Sequence, residues 1–266
     1  MGPRILVALV LLASCDGADP AAAVRVLGSQ GTDDGRFYRP RGIAAAPDGT
    51  LYVVDKSGRI QRFDANGNFV RRWMPPDVTN GQPIDLTVGP DGRIYVADTH
   101  QHRILVYDQD GTLVRQWGRE GRAPGEFIYP VGIAFSPDGE LFVSEYGDND
   151  RIQVFTPEGG FLRQFGGYGE ATGLFKRPQD LAIGADGRVY VLDAVNHHVD
   201  VFTLQGEFVA SWGSGGRGPG QFSYPYGIDI LPGGDLLIVE YGNHRIQRFR
   251  PDGTFVKSVG SVGSAP

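Results

Sequence analysis

At 266 residues, 41% of them hydrophobic, the chain has the length of one or two folded domains. Its 40 glycines and 18 prolines suit a fold with many turns. A net charge of −6 and a pI near 5.4 argue against nucleic acid as a partner, because that function requires a basic footprint.

The N-terminus, "MGPRILVALVLLASCDG", places Arg4 before an apolar run from Ile5 to Ala13 and then small residues. This predicts a secretory signal over residues 1–14, too short to span a bilayer. Cys15, the chain's single cysteine, closes "LASC", which resembles the bacterial lipoprotein box cleaved before a lipid-modified cysteine. Ordinary signal cleavage and a chance cysteine are the alternatives. Residues 15–23 then read as a lipidated cysteine and a tether without periodicity. Acyl chains, at ~0.8 kcal/mol per buried CH₂, would hold such a protein firmly. Asp16 resembles the residue that retains lipoproteins at the inner membrane in some bacteria. The expected location is therefore extracytoplasmic, on the periplasmic side of that membrane.

From residue 24 to residue 260 the chain repeats. An acid ends the second apolar run of each unit at Asp55, Asp98, Glu145, Asp193 and Glu240, in steps of 43, 47, 48 and 47 residues. Each unit has four short runs rich in Val, Ile, Tyr and Phe, separated by Gly-containing turns, which predicts strands a to d. Strands a and b are nearly all apolar, as expected of strands buried on both faces. Strand d carries Arg71, Arg115, Arg163 and Lys257 in one column, where charge discourages edge-to-edge pairing. Four-stranded sheets repeated radially predict an all-β, β-propeller fold. A further strand at residues 24–28 precedes the first unit, because Leu27 stands 13 residues before Pro40, as Trp117 does before Pro130. Five blades are expected, with residues 24–28 docked as a latch at the edge of the fifth. The rival is an incomplete six-slot ring completed by another chain. Residues 261–266 read as a flexible tail.

The segments "YGNHRIQRF" and "AVNHHVDVF", with the shared "DG" turns, "VxD" strand ends and "RIxxF" strands, resemble the NHL-repeat propellers over residues 24 to 260. That family is usually six-bladed. The resemblance implies a binding scaffold working through its loop face, or a metal-dependent enzyme at the channel mouth, since NHL-like propellers include peptide-amidating lyases and related rings include calcium lactonases. RNA-binding relatives also exist, but their charge is lacking here.

The pair His197–His198 falls in repeat columns: His197 aligns with Gly58, His102, Asp150 and His244, and His198 with Arg59, Arg103, Arg151 and Arg245. It therefore reads first as scaffold of the b–c turn. A metal-site reading stays open, because all five histidines fall in b–c turns on one face. "GSGGRG" at 213–218 fits a dinucleotide pattern but opens no helix.

Two candidate sites follow. Asp85, Asp180 and Asp229 put carboxylates into the crowded strand-a columns near the axis; they either accept backbone N–H groups or hold a cation, calcium before zinc. The d–a loops carry Phe37, Phe127, Phe175 and Phe222 as packing anchors. Around these anchors Tyr38, Arg39, Arg41, Tyr129, Lys176, Arg177, Gln179, Tyr224 and Tyr226 supply a contact surface for a protein, peptide or glycan. A solvated loop rim is the plainer alternative. No catalytic set is complete.

Overall fold

The computed structural model describes residues 27–261. The signal segment, Cys15, its tether and most of the 24–28 strand lie outside the described residues, as does all but the first residue of the tail.

Five four-stranded antiparallel sheets, each in the order a-b-c-d, form a five-bladed β-propeller. Blade 1 is Pro40–Ala45, Leu51–Asp55, Ile60–Phe63 and Phe69–Trp73. Blade 2 is Asp85–Val88, Ile94–Asp98, Arg103–Tyr107 and Leu113–Trp117. Blade 3 is Tyr129–Phe135, Leu141–Tyr146, Arg151–Phe155 and Phe161–Gly166. Blade 4 is Pro178–Ile183, Arg188–Asp193, His198–Thr203 and Phe208–Trp212, and blade 5 is Pro225–Ile230, Leu236–Glu240, Arg245–Phe249 and Phe255–Val259. In blades 1, 4 and 5 strand a opens on a proline followed by a register shift against strand b, where the missing N–H costs no ladder bond.

Successive blades are joined by buried apolar clusters, one between each pair from 1–2 to 4–5. At the outer end of each junction, the aromatic residue that closes strand d seats over the glycine of the next blade's c–d turn. A Cβ on Gly159 (φ 92°) would come to 2.7 Å from Trp117, and one on Gly253 (φ 84°) to 2.6 Å from Trp212. Only glycine tolerates both that φ and that proximity. The strand-d arginines cross the same junctions: Arg71 pairs with Asp110, Arg115 donates to the Pro157 carbonyl, and Arg163 donates to the Leu204 carbonyl. The basic column thus ties blades together rather than only guarding an edge.

Among the described residues no buried cluster joins blade 5 to blade 1. Val259, in the column of the seated aromatics, is 65% exposed, and Phe37 is half-buried while Phe127, Phe175 and Phe222 are fully buried. The expectation of strands buried on both faces therefore holds for blades 2 to 4 and fails on one side of blade 5.

Candidate functional site

All five blades contribute to a cavity of ≈ 70 Å³ at the axis, lined among others by Arg41, Asp85, Gln179, Asp180 and Tyr226. The strand-a carboxylates are occupied by backbone donors. Asp85 Oδ2 accepts from Ile133 N at 3.2 Å and Asp180 Oδ2 from Ile228 N at 2.9 Å, each tying the next blade to its neighbour, while Asp229 accepts from Ile230 N at 2.7 Å. Burial without a counter-charge pushes the Asp85 carboxyl up to about 7, and burial with repulsion from Asp85 holds Asp180 well above the usual range. Asp229 is raised by burial as well. Asp85, Asp180 and Asp229 do not gather as a ligand set; among the described residues such a set, with atoms within 4.8 Å of one another, is formed by Asp193, His198 and Asp200.

The loop face is built on the strand-b acids. Four of the five accept an N–H from the d–a loop 17 residues upstream, all but Asp98 of blade 2: Tyr38 to Asp55 at 2.9 Å, Ile128 to Glu145 at 2.7 Å, Lys176 to Asp193 at 2.8 Å, and Ser223 to Glu240 at 2.8 Å. Backbone bonds then clamp the d–a loop to the b–c turn, as in Ala194 N to Arg177 O (3.1 Å) and Tyr241 N to Tyr224 O (3.0 Å). Between these restraints Arg39 (φ 52°), Arg177 (φ 68°) and Tyr224 (φ 47°) are held in the left-handed region. For residues with a long side chain this conformation costs roughly 1–2 kcal/mol each, and it persists only where the surroundings over-determine it.

The side chains that result form a track across three blades. His100 packs against Tyr129 (5.7 Å between centroids), Tyr129 against Tyr146 (5.3 Å), and the Arg177 guanidinium lies 4.7 Å over the Tyr146 ring. Arg177 also donates to Gln179 at 2.9 Å, which connects the track to the axial cavity. Burial, then Arg41 and His102, lowers the His100 pKa and keeps that ring neutral at pH 7. Tyr38, under the Arg39 guanidinium, and Tyr224, beside His197, are 41% and 63% exposed. Of the residues expected on this face, Tyr129, Arg177 and Gln179 come together in the track, and Arg41, Gln179 and Tyr226 around the cavity. Tyr38 with Arg39, and Tyr224, stand apart on blades 1 and 5, while Lys176 is engaged by Glu170. Tyr146 and His100 escape a reading of the d–a loop columns because Tyr146 ends strand b of blade 3 and His100 comes from the b–c connection of blade 2; the visible signal is an aromatic directly after the strand-b acid in "SEYGDND".

His102 (φ 55°), His197 (φ 62°) and His244 (φ 52°) occupy the turn position that Gly58 (φ 85°) fills in blade 1. They are turn formers, as the column reading expects. In blade 3 the longer turn gives this role to Asp148 (φ 65°), so Asp150, aligned with the histidines in sequence, instead accepts Arg177 N at 2.5 Å.

Comparison with known proteins agrees with the fold. The NHL repeat model matches residues 80–107, 175–202 and 222–249. Over 128 residues the chain is 28% identical to a probable peptidyl-alpha-hydroxyglycine alpha-amidating lyase of Caenorhabditis elegans, covering 44% of this chain and 37% of that one. Over 139 residues it is 33% identical to peptidyl-glycine alpha-amidating monooxygenase A of Xenopus laevis, covering 43% of this chain and 15% of that one. The chain thus spans well under half the length of these relatives. Among solved structures, one of a nidogen/laminin complex superposes with a TM-score of 0.67 at 20% identity, covering 83% of this chain and 80% of that one. The chain is a five-bladed β-propeller, three segments of which match the NHL repeat.

Proposed function

We propose that this NHL-repeat propeller is a binding scaffold that presents its loop face to a protein partner, tethered outside the cytoplasm through a lipidated Cys15. The observation that carries the reading is the strained triplet Arg39, Arg177 and Tyr224. Glycine would meet the backbone requirement at no cost, yet these positions carry long side chains of the kinds that anchor contact surfaces. The axial cavity, at ≈ 70 Å³, has room for a few waters, whereas small-molecule pockets run to about 300 Å³ or more. This favours contact across the face over a reaction in the channel. A solved propeller of the same shape comes from a nidogen/laminin complex, which supports protein recognition by the architecture.

The test places a photo-crosslinking amino acid at Tyr38, Tyr129 or Tyr224, and in a control at Val209 on an outer strand, in the cells that make the protein. One discrete protein adduct from the face positions, absent from Val209 and lost in Arg177→Glu, is expected. Equal crosslinking from the outer strand would overturn the face assignment. Anchoring is read separately: Cys15→Ser should move the protein from the membrane fraction to the soluble one, and an unchanged distribution would overturn the tether.

A further inference from the structure

The corner between strands b and c follows one plan in blades 1, 3 and 5, which blade 4 breaks. In blade 3, Arg151 opens strand c with Nε on Glu145 Oε1 at 2.5 Å and drives its guanidinium into the curl of the d–a loop. There Nη1 donates to the Arg122 carbonyl (2.9 Å) and Nη2 to those of Ala123 (3.1 Å) and Glu126 (3.0 Å). Gln153 completes the plug, donating to Glu126 O at 2.8 Å and accepting Gly125 N at 2.9 Å. Blade 5 repeats this with Arg245 on the carbonyls of Arg217, Gly218 and Gln221, and Gln247 beside it; blade 1 does so with Arg59 and Gln61.

In blade 4 the loop curls identically. Gly169 N donates to Phe175 O (2.8 Å) and Leu174 N to Ala171 O (2.9 Å), matching Gly121 to Phe127 and Glu126 to Ala123 in blade 3. The carbonyls of Glu170, Ala171 and Leu174 therefore stand where those of Arg122, Ala123 and Glu126 stand. The plug is different: His198 replaces the arginine and Asp200 the glutamine. The shorter imidazole leaves those three carbonyls without a side-chain donor among the described residues, while Asn196 Nδ2 holds the neighbouring Gly169 carbonyl at 3.1 Å. The imidazole turns instead to Asp200 Oδ2 at 3.1 Å and Asp193 Oδ2 at 3.8 Å. A corner whose two carboxylates are 0% and 3% exposed has lost a guanidinium and gained an acid. Asp193 is otherwise held by Lys176 N, Asn196 N and Asn196 Nδ2; the Asp200 carboxylate has His198 as its one partner among the described residues. Lys176, whose backbone N–H reaches Asp193, has its Nζ engaged by Glu170.

We propose that a divalent metal ion takes the place of the missing guanidinium in blade 4, bound by Asp193, His198 and Asp200 beneath the carbonyls of the d–a loop. Carboxylates need a positive partner in a buried corner, and three ligand atoms within 4.8 Å of one another fit a single coordination sphere. One imidazole with two carboxylates selects zinc or a similar first-row ion over calcium and magnesium, which prefer all-oxygen shells. The ion's role is structural: it pins the loop that carries Lys176 and Arg177, as the arginine plug does elsewhere.

The test uses chelator-treated protein with ZnCl₂, MnCl₂, CaCl₂ and MgCl₂, read by calorimetric titration and thermal melting. Zinc is expected to bind one to one and, at a hundredfold excess over Kd, to raise Tm by about 5–10 °C. Asp200→Asn should weaken binding at least about tenfold, as loss of a ligand requires. The double variant His198→Arg with Asp200→Gln, which rebuilds the Asp55–Arg59–Gln61 corner of blade 1, should fold without metal and lose the zinc response. A variant with His102, His197 and His244 changed to Asn should keep that response. No stoichiometric zinc in the parent, a response to calcium and magnesium alone, or a zinc response that survives Asp200→Asn or disappears with the three turn histidines would each overturn the site.

Discussion

Blades 3 and 5 carry nearly the same sequence through their second and third strands, "LFVSEY…RIQVF" against "LLIVEY…RIQRF", yet they are not equally buried. All five residues of Arg151–Phe155 are buried, whereas in Arg245–Phe249 only Gln247 and Phe249 are. The cause is the neighbour rather than the strand. Among the described residues blade 3 has a packed cluster on each side, and blade 5 has one toward blade 4 but none toward blade 1. The same asymmetry shows in charge, since Arg163 of blade 3 reaches the next blade while the Lys257 side chain has no hydrogen bond or ion pair among the described residues. A repeat sequence therefore encodes the blade, while the junction depends on what the next blade brings.

The sharpest way to break this comparison is to empty the same position in both blades. Ile152→Ala removes a fully buried side chain from the junction with blade 4 and should cost about 3–4 kcal/mol, whereas Ile246→Ala, at a half-exposed position, should cost about 1 kcal/mol. Urea melts of the two variants measure the difference. Equal losses would mean that the free face of blade 5 is as well packed as an internal junction.

The next test asks whether blade 5 is loose as a whole or only on one side. Gly159 and Gly253 both seat an aromatic residue of the preceding blade. Alanine at either should cost about 2–3 kcal/mol, combining a left-handed backbone with a displaced ring. A Cβ on Gly234 (φ 88°) would meet nothing within 4 Å, so Gly234→Ala should cost only about 1 kcal/mol from the backbone. If Gly253→Ala resembled Gly234→Ala rather than Gly159→Ala in the same melts, the 4–5 junction would be weak too.

What could be read in advance follows the same division. The strands, turns and five units were legible because each depends on residues close in sequence: alternating β-formers, the glycine turns, and an acid at a fixed step. Phe127, Phe175 and Phe222 were recognisable as anchors from a column alone. The exposure of Val259 and Phe37 was not, because burial at a junction is a property of two blades. The aromatic track escaped for a related reason: Tyr129 and Tyr146 are 17 residues apart and meet only when the d–a loop folds back over the b–c turn. The His198 column was visible against four arginines, but its meaning needed Asp200 in the glutamine column and the loop carbonyls above both.

The smallest effect concerns the axis, where blades 3 and 5 should not differ. Both hang from an aspartate of the preceding blade, through Asp85 to Ile133 and Asp180 to Ile228. Burial raises both carboxyls, Asp85 to about 7. The folded protein then holds a proton on Asp85 that the unfolded chain, with its ordinary value of 3.8, has released. Since stability changes with pH in proportion to protons bound unfolded minus folded, the contribution is full below about pH 4 and is lost as pH rises through about 7. Asp85→Asn cannot ionise and keeps a carbonyl oxygen for Ile133 N, so its Tm relative to the parent should be higher at pH 8 than at pH 5, by a few degrees at most because Asp85 borders the channel. Thermal melts at the two pH values decide the matter. A parent and variant that run parallel would show that Asp85 is ionised throughout and that the channel supplies a counter-charge, while a matching shift in Asp180→Asn would show that the two blades share one kind of axial tether.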